Sequence, residues 1–111
     1  MAFDDNTADR VRSVLRRRRG VSERKMFGGL CFLLNGNMCC GLIGSNLVLR
    51  LGDAGTRAAL TESDTHEMDF TGKAMKSMIY VRPPGYATDE DLSAWIDRAV
   101  KFCRSLPAKK R

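Results

Sequence analysis

The sequence predicts an α+β domain: an antiparallel sheet of five to six strands packed against an N-terminal helix and a long C-terminal helix. Three observations carry this expectation. Apolar residues recur at helical spacing near both ends, as Ala8, Val11, Val14 and Leu15 and again as Leu92, Trp95, Ile96, Ala99, Val100, Cys103 and Leu106. Between these stretches lie short apolar runs punctuated by Gly and Asn. The runs follow one another mostly without helices between them, which argues against a βαβ array.

The first helix is expected from about Asp5 to Arg19, with Asp4 as N-cap, Phe3 and Ala8 spaced as a staple, and Gly20 in a left-handed position after its last turn. Four short strands follow, over Ser22–Phe27, Leu30–Leu34, Met38–Ile43 and Leu47–Leu51. The intervening Gly28-Gly29, Asn35-Gly36-Asn37 and Gly44-Ser45-Asn46 accept the positive φ of tight turns. The second and third strands are nearly continuous in apolar residues and should be central. Asp53 to Leu60 reads as a short helix capped by Asp53, and Thr61 to Thr65 as a polar loop. Met68 to Phe70 is a short edge-strand candidate, Thr71-Gly72-Lys73 a turn, and Ser77 to Arg82 a strand stopped by Pro83-Pro84-Gly85. Thr88 caps the last helix. Asp89, Glu90 and Asp91 occupy its first turn and Arg98, Lys101 and Arg104 its second half, as the helix dipole favours. Pro107 ends it, and residues 108–111 form a basic tail.

The chain has 111 residues and a formal net charge of +6, from 19 Lys and Arg against 13 Asp and Glu. Its length fits one domain, and its 43% hydrophobic content excludes a disordered chain. No apolar run nears the ~20 residues of a membrane helix, and the acidic N-terminus is unlike a signal peptide, so no membrane partner and a cytoplasmic location are expected.

Several motifs together resemble the TfoX N-terminal domain family. They are Arg24-Lys25-Met26-Phe27-Gly28-Gly29-Leu30, Asn35-Gly36 with Met38, and Met68-Asp69-Phe70-Thr71-Gly72-Lys73-Ala74-Met75-Lys76. Tyr80, the Pro83-Pro84-Gly85 break and the Leu92, Trp95, Ala99 helix continue the match over roughly Phe3 to Pro107. The resemblance implies an α/β sandwich similar to secretion chaperones. It implies a stand-alone counterpart of the N-terminal domain of TfoX or Sxy competence regulators, with no catalytic residues to carry over. A non-enzymatic regulatory or adaptor domain follows as the expectation. It would work through protein contacts, with a protein partner or with itself, a homodimer being the expected state, and without cofactor.

The alternative is nucleic-acid binding. Eight basic residues lie between Arg10 and Lys25, and Arg12, Arg16, Arg17, Arg18, Arg19, Arg24 and Lys25 could contact phosphates. Four consecutive arginines spread around most of a helical turn, however, which favours a solvated helix end over one binding face. Phe27, Phe32 and Tyr80 are expected in the core, and no helix-turn-helix is evident. Gly28-Gly29 and Gly72-Lys73 read as turns, since neither a dinucleotide fingerprint nor a P-loop surrounds them. Met75 and Met78 would mark a partner surface if exposed.

Cys31, Cys39, Cys40 and Cys103 form no C-x-x-C and are expected to be reduced and buried. A regular hairpin about Asn35-Gly36 would set Phe32 opposite Cys39 and Cys31 opposite Cys40, a candidate thiol pair. His66, the single histidine, is expected in a polar acidic loop, and its spacing from the cysteines matches no zinc pattern.

Overall fold

A computed structural model describes residues 4–16, 18–26, 28–69 and 74–107, and the Phe3 staple, Arg17, Phe27, Phe70, Gly72 and the basic tail lie outside them. Asp4 opens α1 (Asp5–Leu15) by accepting from the Thr7 amide at 3.2 Å and the Thr7 hydroxyl at 2.5 Å. The Thr7 bonds satisfy an otherwise orphaned N–H and hold the Asp4 carboxyl below its ordinary pKa.

The helix ends at Leu15 and does not reach Arg19. Two tertiary demands stop it: the Arg18 guanidinium crosses to Asp97, and the Gly20 carbonyl is taken by the Asn35 amide. The Arg18 amide closes the end locally by bonding back to the Leu15 carbonyl at 3.0 Å. Gly20 takes φ +80, as predicted, but its carbonyl receives the Asn35 amide at 2.9 Å, so it starts a strand rather than ending the helix. A Cβ there would lie 2.1 Å from Asn35 Oδ1.

The chain then builds β1 (Val21–Met26), β2 (Gly29–Leu34), β3 (Asn37–Ile43) and β4 (Asn46–Arg50). These are followed by α2 (Gly52–Ala59), β5 (Thr65–Asp69), β6 (Ala74–Val81), a 3-10 turn (Pro83–Tyr86) and α3 (Asp89–Arg104). One antiparallel sheet results, in the order β1-β2-β3-β4-β6-β5. β2 and β3 are central, as their apolar runs require. Asp53 lies inside the first turn of α2, whose N-cap, Leu51, makes no side-chain bond. β5 begins three residues before the predicted Met68, because β6 is long enough to pair Thr65 with Val81. His66 therefore sits in a strand, not a loop.

The helices deliver their apolar stripes to one side of the sheet. Ala8, Val11 and Leu15 of α1 and Leu92, Ile96 and Val100 of α3 join one cluster with Phe32, Leu42, Leu47, Leu49 and Ile79. Thr88 caps α3 by accepting from the Asp91 amide at 3.0 Å. The Trp95 indole donates to the Gly85 carbonyl at 3.0 Å, and the Tyr86 hydroxyl donates to the Ser45 carbonyl. The Pro83–Tyr86 turn is thus fastened to both α3 and the sheet. No described helix is long and apolar enough to cross a membrane.

The β2–β3 hairpin departs from regular register. Leu33 faces Met38 as expected, but Phe32 faces Cys40 and Cys31 faces Gly41, because a bulge leaves Cys39 as an extra residue. The anticipated Cys31–Cys40 pairing is therefore absent, and these two side chains point to opposite sides of the sheet. The bulge turns both Cys39 and Cys40 toward the helices, where Cys103 of α3 meets them. Cys103 donates to the Met38 carbonyl at 3.1 Å. The Cys103 thiol is pushed above the ordinary range by its hydrogen bond to Cys39 and by burial. Cys39 is drawn down by the Cys103 bond, but contact with Cys40 and burial carry it upward on balance.

Two outcomes follow for this core. A Cβ on Gly41 would lie 2.5 Å from the Leu30 carbonyl oxygen. Gly41→Ala should therefore cost about 1–3 kcal/mol, read as a lower urea midpoint with an unchanged m-value. The buried thiols should resist dithionitrobenzoate until the chain is unfolded. The unfolded chain gives up thiol protons above about pH 8.5 that the folded chain keeps. Stability is consequently undiminished below that pH and falls as pH rises through it. Urea melts at pH 7.5 and 9.5 should show this loss, and Cys103→Ala should reduce it.

Candidate functional site

The basic residues are deployed differently from one helical patch. Arg12, on α1, is held from two sides: by Glu23 at 2.9 and 2.8 Å and by Asp9 at 2.9 Å. The hydrogen bonds to Glu23 and then Asp9 raise its already high pKa. Arg18 is spent on Asp97, and Arg10 reaches Asp89 and the Tyr86 carbonyl at 3.3 and 3.0 Å. Such exposed pairs contribute only ~0.2–1 kcal/mol each to stability, yet each removes a free cation from the surface. Arg16 and Arg19 are exposed beyond the helix end and have no carboxylate partner among the described residues. Arg24 and Lys25 are exposed neighbours on edge strand β1 and point to opposite faces of the sheet. Arg12, Arg16 and Arg18 do share a cavity of about 250 Å³ with Glu23, over Leu15, Val21 and Phe32. Glu23 is the one carboxylate in this lining, and Asp9 and Asp97 outside it pair with Arg12 and Arg18.

The family motifs do not converge either. Met26, Gly28 and Gly29 lie at the β1–β2 turn, and Asp69 ends β5. β1 and β5 are the two opposite edges of the sheet. Trp95 is a core residue that fastens α3. Tyr80 leaves the main core and lies on the other sheet face.

That other face is the surface the sequence did not disclose. Register places Arg24, Cys31, Gly41, Val48, Tyr80 and His66 in one row across all six strands. Val48 and Met78 are buried at its centre, 1% and 6% exposed. Met38, Ile43 and Tyr80 pack around them, only partly buried. No described helix contributes to this cluster. The available signal was strand composition: Asn46–Arg50 has three successive apolar residues, and Met78 and Tyr80 alternate with Ile79 and Val81. A strand apolar on both sides belongs to a sheet with two packed faces.

His66 packs against Tyr80 with ring centroids 5.1 Å apart and planes tilted by 49°. At the other end of the row, burial raises the Cys31 thiol pKa while the Arg24 charge opposes the rise. Among the described residues no group of three or more His, Cys, Asp or Glu is placed to hold a metal ion. The described residues offer two distinct features: dispersed, largely paired arginines on the helical side and an apolar sheet face that no described helix covers.

No curated protein and no solved structure matches this chain. The family model of the TfoX N-terminal domain matches residues 13–103. The match takes in the last turn of α1 from Ser13, every strand and nearly all of α3, and the chain belongs to the TfoX N-terminal domain family.

Proposed function

We propose that the chain is a non-enzymatic regulatory or adaptor domain, of the kind TfoX-type competence regulators carry, and that it acts by protein contact. The observation behind this reading is the second sheet face. Val48 and Met78 sit beneath half-buried Met38, Ile43 and Tyr80, with no described helix above them. An apolar patch left at a surface is favourable to cover, at roughly 25 cal/mol per Å² removed from water. Methionine suits such a surface because its unbranched side chain adapts to a partner's shape. Nucleic-acid binding through the first helix draws less support, since α1 stops at Leu15 and both Arg12 and Arg18 are occupied by carboxylates.

Site-specific photo-crosslinking inside the native cell tests this. A photoreactive phenylalanine replacing Ile43 should give a discrete covalent protein adduct, and the same group replacing exposed Ala94 of α3 should not. Adducts to nucleic acid, or equal labelling at both positions, would defeat the proposal.

A further inference from the structure

We infer that the open sheet face receives an acidic amphipathic helix from another protein. This deepens the protein-contact reading above and rests on it. The occupant's charge follows from the rim of the patch. Arg24 stands at one end of the cross-strand row, exposed and opposite Cys31. Arg50 lies opposite Met78, sends its guanidinium to the Met38 carbonyl at 3.4 Å and lies 5.8 Å from the Phe102 ring centroid. Neither arginine has a carboxylate partner among the described residues, a property they share with Arg16 and Arg19 on the helical side. Neither the row nor the Leu33–Met38 and Arg50–Met78 pairs beside it contains a carboxylate. A partner that adds apolar area and brings carboxylates complements this face on both counts.

The same charges argue against a second copy. An isologous contact would set this cationic rim against its own duplicate, and like charges brought together disfavour association. Its shape favours a helix over an added strand. Strand addition needs a free sheet edge, and edge strand β1 presents exposed Glu23, Arg24 and Lys25, the charged side chains that discourage such pairing. A sheet face is ordinarily covered by a helix layer. The row crosses six strands, or five spacings of about 4.8 Å, giving about 24 Å. That is the length of about 16 helical residues, enough for anchors at i, i+3, i+4 and i+7.

Two fluorescein-labelled 18-residue peptides test the inference against the full chain by anisotropy. They share one leucine stripe and differ only in flanking glutamates or lysines. The glutamate peptide should bind at least tenfold more tightly than the lysine peptide, and its affinity should fall as salt rises from 50 to 300 mM. Arg24→Gln, at an exposed position that folding tolerates, should weaken it several-fold, and Ile43→Asp should abolish it with the circular dichroism spectrum retained. Equal binding of both peptides, binding of neither, or indifference to Arg24→Gln would overturn the inference. A dimer by light scattering that Ile43→Asp dissolves would also overturn it and assign the face to a second copy. Failed peptide binding alongside a protein adduct at position 43 would sink the acidic-helix inference alone. Failure of both assays would sink the protein-contact reading too.

Discussion

The molecule is organised by a mismatch between a sheet that is apolar on both faces and helices that cover only one. Strand alternation makes the mismatch unavoidable. On β4, Leu47 and Leu49 turn toward α3 while Val48 between them turns away. On β6, Ile79 and Val81 serve the main core while Met78 and Tyr80 serve the other side. Burying Leu42, Leu47, Leu49, Ile79, Leu92 and Ile96 completely drives the fold, and every described helix is committed to that task. No described helix shelters the second face.

Charge is arranged around the same asymmetry. On the helical side, arginines clamp elements together: Arg12 ties α1 to β1 through Glu23, Arg18 ties the end of α1 to α3 through Asp97, and Arg98 ties α3 to Glu62 after α2. These guanidiniums span element boundaries, where a planar fork with fixed donors holds a carboxylate well. The net charge of +6 therefore overstates the free positive surface on that side. Arg24, on the edge strand, and Arg50, whose guanidinium lies 5.8 Å from the Phe102 ring centroid of α3, have no carboxylate of their own among the described residues.

Much of the fold was legible because its signals are local. The caps at Asp4 and Thr88, the apolar stripe of α3 and the Asn35-Gly36 turn depend on residues within a few positions of one another. The misjudged features depend on distant partners. Arg16 to Arg19 have ordinary helical propensity, but Asp97, seventy-nine residues away from Arg18, and the Gly20–Asn35 bond end the helix first. The first part of β5 reads as a polar loop, since His66 and Glu67 carry no strong strand preference and follow a polar stretch, and only pairing with β6 extends the strand through them. The site was less legible still. Its row is assembled from six strands, one residue each, and adjacent members meet through strand pairing and not through local sequence.

The β3 bulge decides what that row contains. Without it, Cys40 would share the open face with Cys31, and every later residue of β3 would change sides. Leu42 would leave the main core for the open face, while Gly41 would turn toward the helices and leave a space that no side chain fills. With the extra residue at Cys39, Leu42 returns to the core with no exposure, and Ile43 moves to the rim of the second cluster. Gly41 then occupies the centre of the row, where the Leu30 carbonyl leaves no room for a side chain. A shallow floor of Cys31, Gly41 and Val48 results, flanked by larger Met38, Ile43 and Tyr80. The irregularity that removes the expected thiol pair is thus the same one that gives the open face its low centre and raised apolar rim. An apolar helix edge fits such relief better than a flat sheet would.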